Sequence, residues 1–129
     1  MAGSNAPGAA RMFARPDVAI DLEAIKLSYG DRSAQLIELF LEQVPTLIET
    51  IATAAEQKNT LSLSQTVHAL KGICATTFTR QMRETCVRFE QAIREDNWAA
   101  APEMIDQLKD QFTAVDKMID AQIKGKDSG

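Results

Sequence analysis

The only histidine of the chain, His68, lies in the segment SQTVHALKGICA at residues 64–75. A lysine follows it three residues later and a glycine four residues later, Lys71 and Gly72. The segment has a helical pattern, and a glycine inside a helix costs about 1 kcal/mol relative to alanine. A glycine at this position therefore needs a role that compensates for its cost.

Helix geometry places several small or polar residues around the histidine. At 100° per residue, the face that carries His68 also carries five others. These are Ser64, Gln65, Lys71, Gly72 and Ala75. The apolar stripe of the same helix, which includes Val67 and Leu70, lies on a different side. We therefore expect His68 to be exposed to solvent.

An exposed neutral imidazole has a lone pair near pH 7 and can accept a phosphoryl group on a ring nitrogen. Lys71 would offset the negative charge of the phosphoryl oxygens, and Ser64 or Gln65 would hydrogen-bond those oxygens or orient the ring. Gly72 and Ala75 would leave room for the active site of a partner. Each residue alone has a plainer explanation, such as a solvated lysine or a glycine that lets two helices pack closely. Their shared face is what indicates phosphoryl chemistry.

The rest of the chain predicts the helices that position this face. Apolar residues recur at intervals of three and four, and no alternating strand pattern of useful length is present. The predicted helices cover about residues 17–29, 32–57, 61–78, 80–95 and 98–123. Four long amphipathic helices with short connections predict an all-α fold, an antiparallel up-and-down four-helix bundle with a short additional N-terminal helix. Pro45 is expected to bend the second helix, and Thr79 to cap the fourth.

Length and charge define the remaining organisation. The chain has 129 residues and a net charge of -4. We assign residues 1–16 to a disordered linker or expression remnant, 17–123 to the bundle domain and 124–129 to a disordered tail. An acidic chain is unlike a nucleic-acid binder, and no apolar run approaches the roughly 20 residues of a membrane span. We expect a cytoplasmic protein that does not insert into membranes.

The two cysteines, Cys74 and Cys86, fall on predicted core faces, where we expect reduced thiols packed as small hydrophobes. One histidine and two dispersed cysteines do not make a convincing zinc site. The chain also lacks a glycine-rich phosphate loop. The sequence therefore predicts no cofactor bound by this chain.

The stretch VHALKGICA, preceded by IELFLEQVPTLIETI and followed by MRETCVRFEQAI, resembles the histidine-containing phosphotransfer (HPt) domain family over roughly residues 19–120. The resemblance implies a four-helix bundle that relays phosphoryl groups between receiver-domain aspartates in two-component phosphorelays. By that match, His68 is the phospho-acceptor at Nε2, Lys71 stabilises charge and Gly72 provides clearance. The chain departs from the family pattern at Ile73, where a small residue is usual, and at Phe78, where glycine is frequent.

The resemblance also implies the partners, which are response-regulator receiver domains and hybrid sensor histidine kinases. It implies a phosphocarrier rather than an enzyme, and we expect a monomer, because a shuttle must expose its histidine to successive partners. Mg²⁺ is expected from the receiver, because no acidic cluster is apparent beside His68. Candidate docking residues are Ile20, Leu27 and Leu41, with Arg80 and Arg83 as possible contacts for an acidic receiver rim.

Three alternatives keep the bundle and change the function. The domain would be a non-catalytic adaptor that docks a receiver or a kinase, a substrate domain phosphorylated directly by a histidine kinase, or a purely structural bundle.

Overall fold

The structure, a computed structural model, describes residues 17–128, and the side chains of residues 17–122 within them. The predicted linker at 1–16 lies outside the described residues. The described residues form five α-helices: α1 Leu22–Tyr29, α2 Ser33–Glu56, α3 Thr60–Thr76, α4 Arg80–Arg94 and α5 Ala101–Ser128. Short 3₁₀ turns, Gly30–Arg32 and Trp98–Ala100, precede α2 and α5. The helical backbone of α5 continues beyond the predicted end at 123, and the disorder of the tail at 124–129 stays a prediction.

The four long helices form the predicted antiparallel four-helix bundle. α2 packs on α3, α3 on α4 and α4 on α5, and α5 returns to pack on α2. The short α1 packs against the start of α2. In this arrangement α3, which carries His68, has α2 on one side and α4 on the other. Within the described residues, no helix has the length and apolar character that crossing a membrane requires.

The core confirms most of the apolar stripes that the sequence predicts. Its largest buried side chains are Ile20, Ile25, Phe40, Val44, Ile51, Leu63, Val67, Leu70, Met82, Phe89, Leu108 and Val115. For α2 the sequence predicts an apolar stripe of Ile37, Phe40, Val44, Leu47, Ile51 and Ala54. In the structure Ile37 and Leu47 are only half-buried, and Ile48, which lies outside the predicted stripe, is buried. The rings of Phe40 and Phe112 stack with centroids 5.9 Å apart and join α2 to α5. Helix α2 stays continuous through Pro45, and the predicted bend there stays a prediction.

Helix α1 begins later than the predicted residue 17. The Oδ1 atom of Asp21 accepts a hydrogen bond from the backbone N–H of Ala24 at 3.1 Å, which makes Asp21 the N-cap. The preceding residue, Ile20, is fully buried in the core. The backbone N–H of Asp21 donates to the carbonyl of Phe78 at 3.0 Å. The segment before α1 is therefore attached to the turn between α3 and α4.

That turn explains the departure from the family pattern at Phe78. Phe78 has a φ of 53°, in the left-handed region that favours glycine. Its side chain is half-buried against the core, and its carbonyl accepts the bond from Asp21. Core packing and this hydrogen bond offset the roughly 1–2 kcal/mol that the backbone conformation costs a residue with a side chain. Helix α3 consequently ends at Thr76 rather than at the predicted residue 78.

Side-chain hydrogen bonds also define the starts of α3 and α4. Asn59 caps α3 by accepting from the N–H of Ser62 at 3.1 Å. Thr79 occupies the N-cap position of α4 as predicted, but its side chain makes no capping hydrogen bond. The Thr79 hydroxyl instead donates to the carbonyl of Cys74 at 3.3 Å. Thr79 therefore ties α4 to the last turn of α3, which fixes how the two helices diverge from the turn.

Both cysteines are buried and neither forms a disulfide. The neighbouring thiol of Cys74, together with burial, raises the pKa of Cys86. A protonated, buried thiol is a poor nucleophile. Both side chains belong to the hydrophobic core and therefore contribute to packing, as the sequence predicts.

Candidate functional site

His68 lies in the middle of α3, and its side chain is 75% exposed. The neighbouring positions on the helix, Val67 and Leu70, are fully buried in the core. Because the core residues fix the rotation of α3 in the bundle, the face that carries His68 is directed to solvent. The predicted exposure of the imidazole is confirmed.

The side chain of Glu90, on α4, joins the two charged or titratable residues of this face. Its Oε2 atom lies 3.3 Å from Nδ1 of His68, and its Oε1 atom accepts a hydrogen bond from Nζ of Lys71 at 2.8 Å. The Lys71 and Glu90 side chains are 28% and 16% exposed. Glu90 is thus a half-buried side chain whose carboxylate contacts both residues at once.

The sequence analysis missed Glu90, since nothing in the local pattern of α4 marks it. The order of the predicted helices could nevertheless have indicated this residue. α3 and α4 run antiparallel from the tight turn at Phe78, so residues at similar distances from that turn face each other. His68 and Glu90 satisfy this condition.

Glu90 is ionised at neutral pH. Burial raises the pKa of its carboxyl group, but the hydrogen bonds from Lys71 and His68, together with the positive charge of Lys71, outweigh burial and lower that pKa overall. An ionised carboxylate only accepts hydrogen bonds. We therefore infer that Nδ1 of His68 carries the proton and donates it toward Glu90. The lone pair of the neutral ring is then on Nε2.

Gly72 is exposed, and a Cβ atom at this position would meet nothing within 4 Å beyond the adjacent backbone of its own helix. Its φ does not lie in the left-handed region, since Gly30 is the only glycine with a positive φ among the described residues. A glycine is therefore required at 72 neither by the backbone nor by the packing of α3 against another helix. The close-packing explanation for this residue is wrong.

The remaining predicted site residues, Ser64, Gln65 and Ala75, are exposed on α3. Among the described side chains, Glu90 is the one that hydrogen-bonds the imidazole. Neither Ser64 nor Gln65 hydrogen-bonds the imidazole among these described side chains, and their predicted role in orienting the ring stays a prediction. Their predicted contact with phosphoryl oxygens and the clearance at Ala75 stay predictions.

A shallow groove of about 490 Å³ runs beside His68 between α2 and α3. Its lining is mainly apolar and includes Leu36, Leu39, Phe40, Ala69, Gly72 and Ile73. Leu39 is 43% exposed, although it is a large apolar side chain. Ile73, which departs from the family pattern, is half-buried in this groove. The histidine thus has an apolar groove beside it toward α2 and the Glu90 carboxylate beside it toward α4.

The docking residues predicted from the sequence lie elsewhere. Ile20 is fully buried, so it is not available to a partner. Leu41 is half-buried and does not line the groove. Leu27 is 61% exposed on α1. On α4, the Nε atom of Arg80 donates to Glu84 at 3.1 Å, and Arg83 is exposed.

Among the residues that the structure describes, no group of three or more His, Cys, Asp and Glu side chains is placed to hold a metal ion.

Comparison with known proteins identifies the family. The family model for the Hpt domain matches residues 35–118, about two thirds of the chain, whereas no curated protein matches it. The crystal structure of histidine-containing phosphotransfer protein B from Pseudomonas aeruginosa superposes with a TM-score of 0.74 at 19% identity, covering 81% of this chain and 93% of that one. The HPT domain of a sensor hybrid histidine kinase from Shewanella gives 0.65 at 19% identity, covering 79% and 94%. At these identities the two structures show a shared fold, and the family model shows more: the chain belongs to the Hpt domain family, the histidine phosphotransfer domains of phosphorelays.

Proposed function

We propose that His68 is the residue that carries the phosphoryl group in this phosphotransfer domain. It takes the group from the aspartyl phosphate of one receiver domain and passes it to the aspartate of another. The observation that supports this most strongly is the position of the imidazole. The ring is 75% exposed and its Nδ1 atom is held by Glu90, which leaves the lone pair on Nε2 free to react.

The transfer is a displacement at phosphorus. The Nε2 lone pair forms the N–P bond while the bond from phosphorus to the aspartate oxygen breaks, and its electron pair returns to the carboxylate. Such reactions depend on in-line positioning and on stabilisation of charge at the phosphoryl oxygens. The chain supplies a nucleophile on a rigid helix for the first requirement.

Lys71 serves the stabilisation of charge at the phosphoryl oxygens, and Gly72 serves the approach of the partner. The Nζ atom of Lys71 is held one helical turn from the histidine by its bond to Glu90. From there it can turn toward a phosphoryl group on Nε2 as a mobile positive charge. Gly72 leaves the space that a methyl group would occupy on the exposed face. Since nothing in the described part of the chain fills that space, the proposed clearance is for the receiver.

The apolar groove beside His68 is the proposed docking site of the receiver. A partner that covers Leu36, Leu39 and Ile73 would bury apolar surface and bring its aspartate to the imidazole. The receiver supplies Mg²⁺ together with its acidic side chains. Members of the Hpt family are phosphocarriers rather than classical enzymes, and we propose that this chain has no ATP or metal site of its own. We also propose a monomer, which leaves the His68 face open to successive partners, and a cytoplasmic location.

Transfer from a panel of phosphorylated receiver domains tests this function. Wild type is expected to acquire an acid-labile, base-stable phosphoryl group when Mg²⁺ is present, and His68→Gln is expected to acquire none. Circular dichroism confirms that the variant is folded, because His68 contributes little to the core. Label on the variant, or binding of a receiver without transfer to wild type, contradicts the proposal. The second result favours the adaptor function instead.

A further inference from the structure

The two cysteines of the chain form a pair between α3 and α4. The side chains of Cys74 and Cys86 are fully buried in the same core, and both thiols are free. The two thiol groups hydrogen-bond to each other across the interface between the helices. Two sulfur atoms in direct contact, without a bond between them, can be joined as a disulfide by an oxidant.

The packing of α3 on α4 explains why the two thiols meet. The helices run antiparallel away from the turn at Phe78, and Lys71 on α3 pairs with Glu90 on α4. Cys74 lies three residues closer to the turn than Lys71, and Cys86 lies four residues closer to it than Glu90. About one helical turn, or roughly 5 Å, therefore separates the cysteine pair from the ion pair beside the histidine.

The surroundings of the pair make Cys74 the more reactive thiol. The hydrogen bond from Cys86 lowers the pKa of Cys74 against the effect of burial, and the Thr79 hydroxyl and the positive charge of Arg83 lower it further. The hydrogen bond to Cys74, together with burial, raises the pKa of Cys86. Cys74 is thus favoured as the attacking sulfur, and Cys86 keeps its proton until a second step.

We propose that Cys74 and Cys86 are a redox modification site, at which hydrogen peroxide converts the two thiols to a disulfide that ties α3 to α4. The Cys74 sulfur attacks a peroxide oxygen, the S–O bond forms and the O–O bond breaks, and the departing hydroxide leaves as water with the Cys74 proton. The Cys86 sulfur then attacks the sulfenic acid, the S–S bond forms and the S–O bond breaks. The second hydroxide leaves as water with the Cys86 proton. Each sulfur gives up one electron, and the peroxide is reduced to two water molecules.

Burial selects a small oxidant for this site. Neither cysteine has exposed surface, so a bulky disulfide such as oxidised glutathione does not reach them in the packed bundle. Hydrogen peroxide is little larger than water. Cys74 also lies two residues before the end of α3 at Thr76, and helix ends are the parts of a fold that open most easily.

The disulfide also has a consequence for phosphoryl transfer, which rests on the function proposed above. An S–S bond is about 2 Å long, shorter than a hydrogen bond between two thiols, so oxidation draws α3 and α4 together one turn from Lys71 and Glu90. Transfer depends on exact positioning, and a displacement on the order of 1 Å can slow it by as much as about 100-fold. The oxidised domain is therefore the slower phosphocarrier.

The test compares wild type with Cys86→Ala, which lacks the second thiol. Each folded protein is treated with hydrogen peroxide, which is then removed with catalase. Free thiols are counted after unfolding in urea, the mass is measured, and a non-reducing gel separates disulfides within one chain from those between chains. Transfer is measured from a phosphorylated receiver that is active on reduced wild type. Dithiothreitol then reverses a disulfide but not methionine oxidation, and circular dichroism checks that the variant is folded.

We expect wild type to lose both free thiols and the mass of two hydrogen atoms, and to stay monomeric on the gel. Its transfer rate should fall about fivefold or more and recover with dithiothreitol, whereas peroxide should leave the rate of Cys86→Ala unchanged. Thiols that stay free in wild type, or that pair only between chains, would overturn the modification site without any reference to the variant. A disulfide with an unchanged transfer rate would overturn its effect on the phosphocarrier. If reduced wild type accepts no phosphoryl group, the proposed function is wrong, and the thiol count still decides the disulfide.

Discussion

The Nδ1 atom of His68 lies 3.3 Å from Oε2 of Glu90, although 22 residues separate the two in the chain. The other oxygen of the same carboxylate holds Nζ of Lys71 at 2.8 Å. One side chain on α4 thus fixes two side chains on α3. The contact with Nδ1 favours the tautomer in which the lone pair is on Nε2. The contact with Nζ keeps the positive charge of Lys71 close to the ring.

Replacing Gly72 by alanine should stabilise the fold and impair the function. The helix gains about 1 kcal/mol from the better helix former, and among the described residues the added methyl group meets nothing within 4 Å beyond the adjacent backbone of its own helix. The same methyl group would separate the receiver from His68, and a displacement on the order of 1 Å can slow transfer by as much as about 100-fold. Urea unfolding measures the first effect and single-turnover transfer the second. A variant with a higher free energy of unfolding and an unchanged transfer rate would refute the clearance role.

Replacing Lys71 by methionine removes the positive charge and keeps an unbranched side chain. Loss of its ion pair with Glu90 should lower the free energy of unfolding by less than about 1 kcal/mol, because the lysine is partly exposed. The transfer rate should fall by about tenfold or more, because charge at the phosphoryl oxygens loses its stabilising partner. Lys71→Arg restores a positive charge and should recover part of the rate. Equal rates for Lys71→Met and wild type would show that the receiver supplies all the charge stabilisation.

Replacing Leu39 by glutamine should weaken binding of the receiver. Leu39 is 43% exposed in the groove beside His68, and burying the rest of it in a complex is worth about 1 kcal/mol. That loss corresponds to about fivefold in Kd, which isothermal titration calorimetry resolves. Ala114→Gln is the matched control, because Ala114 is exposed on α5, which packs against α2 and α4. Equal weakening by both variants would place the docking surface elsewhere.

The contribution of Glu90 to the free energy of unfolding should decrease as the pH falls. The pKa of the Glu90 carboxyl group is lowered in the folded state, despite burial, by Lys71 and His68. A lowered folded pKa stabilises the protein above the unfolded carboxyl pKa of about 4.3, and this contribution is lost as the pH falls through the folded value. Urea unfolding of wild type and Glu90→Gln at pH 7 and pH 3 measures the loss. The free energy of unfolding of wild type should exceed that of Glu90→Gln by less at pH 3 than at pH 7. A larger difference at pH 3 would contradict the lowered pKa of Glu90.

The bundle and the exposure of His68 follow from periodicity in the sequence. Core positions such as Phe40, Val67 and Leu70 recur at helical spacing, and burying them fixes the rotation of each helix. The side of α3 that carries His68 is then determined. Local sequence therefore predicts both the fold and the face on which the candidate site lies.

Glu90 and the start of α1 depend on tertiary contacts that local patterns do not contain. Glu90 acquires its role only when α3 and α4 pack side by side. Helix α1 starts at Leu22 because Asp21 caps it and bonds to Phe78, far along the chain. Phe78 itself occupies a left-handed turn position that propensity would give to glycine. In each case, packing decides what the sequence around the residue leaves open.

The most direct test of the central claim is to identify the atom that carries the phosphoryl group. Uniformly ¹⁵N-labelled protein is phosphorylated by a phosphorylated receiver, and a long-range ¹H–¹⁵N spectrum then assigns the ring nitrogens of His68. We expect phosphorus on Nε2 and a proton on Nδ1, the atom that faces Glu90. Phosphorylation of Nδ1, or of any residue other than His68, would contradict the account.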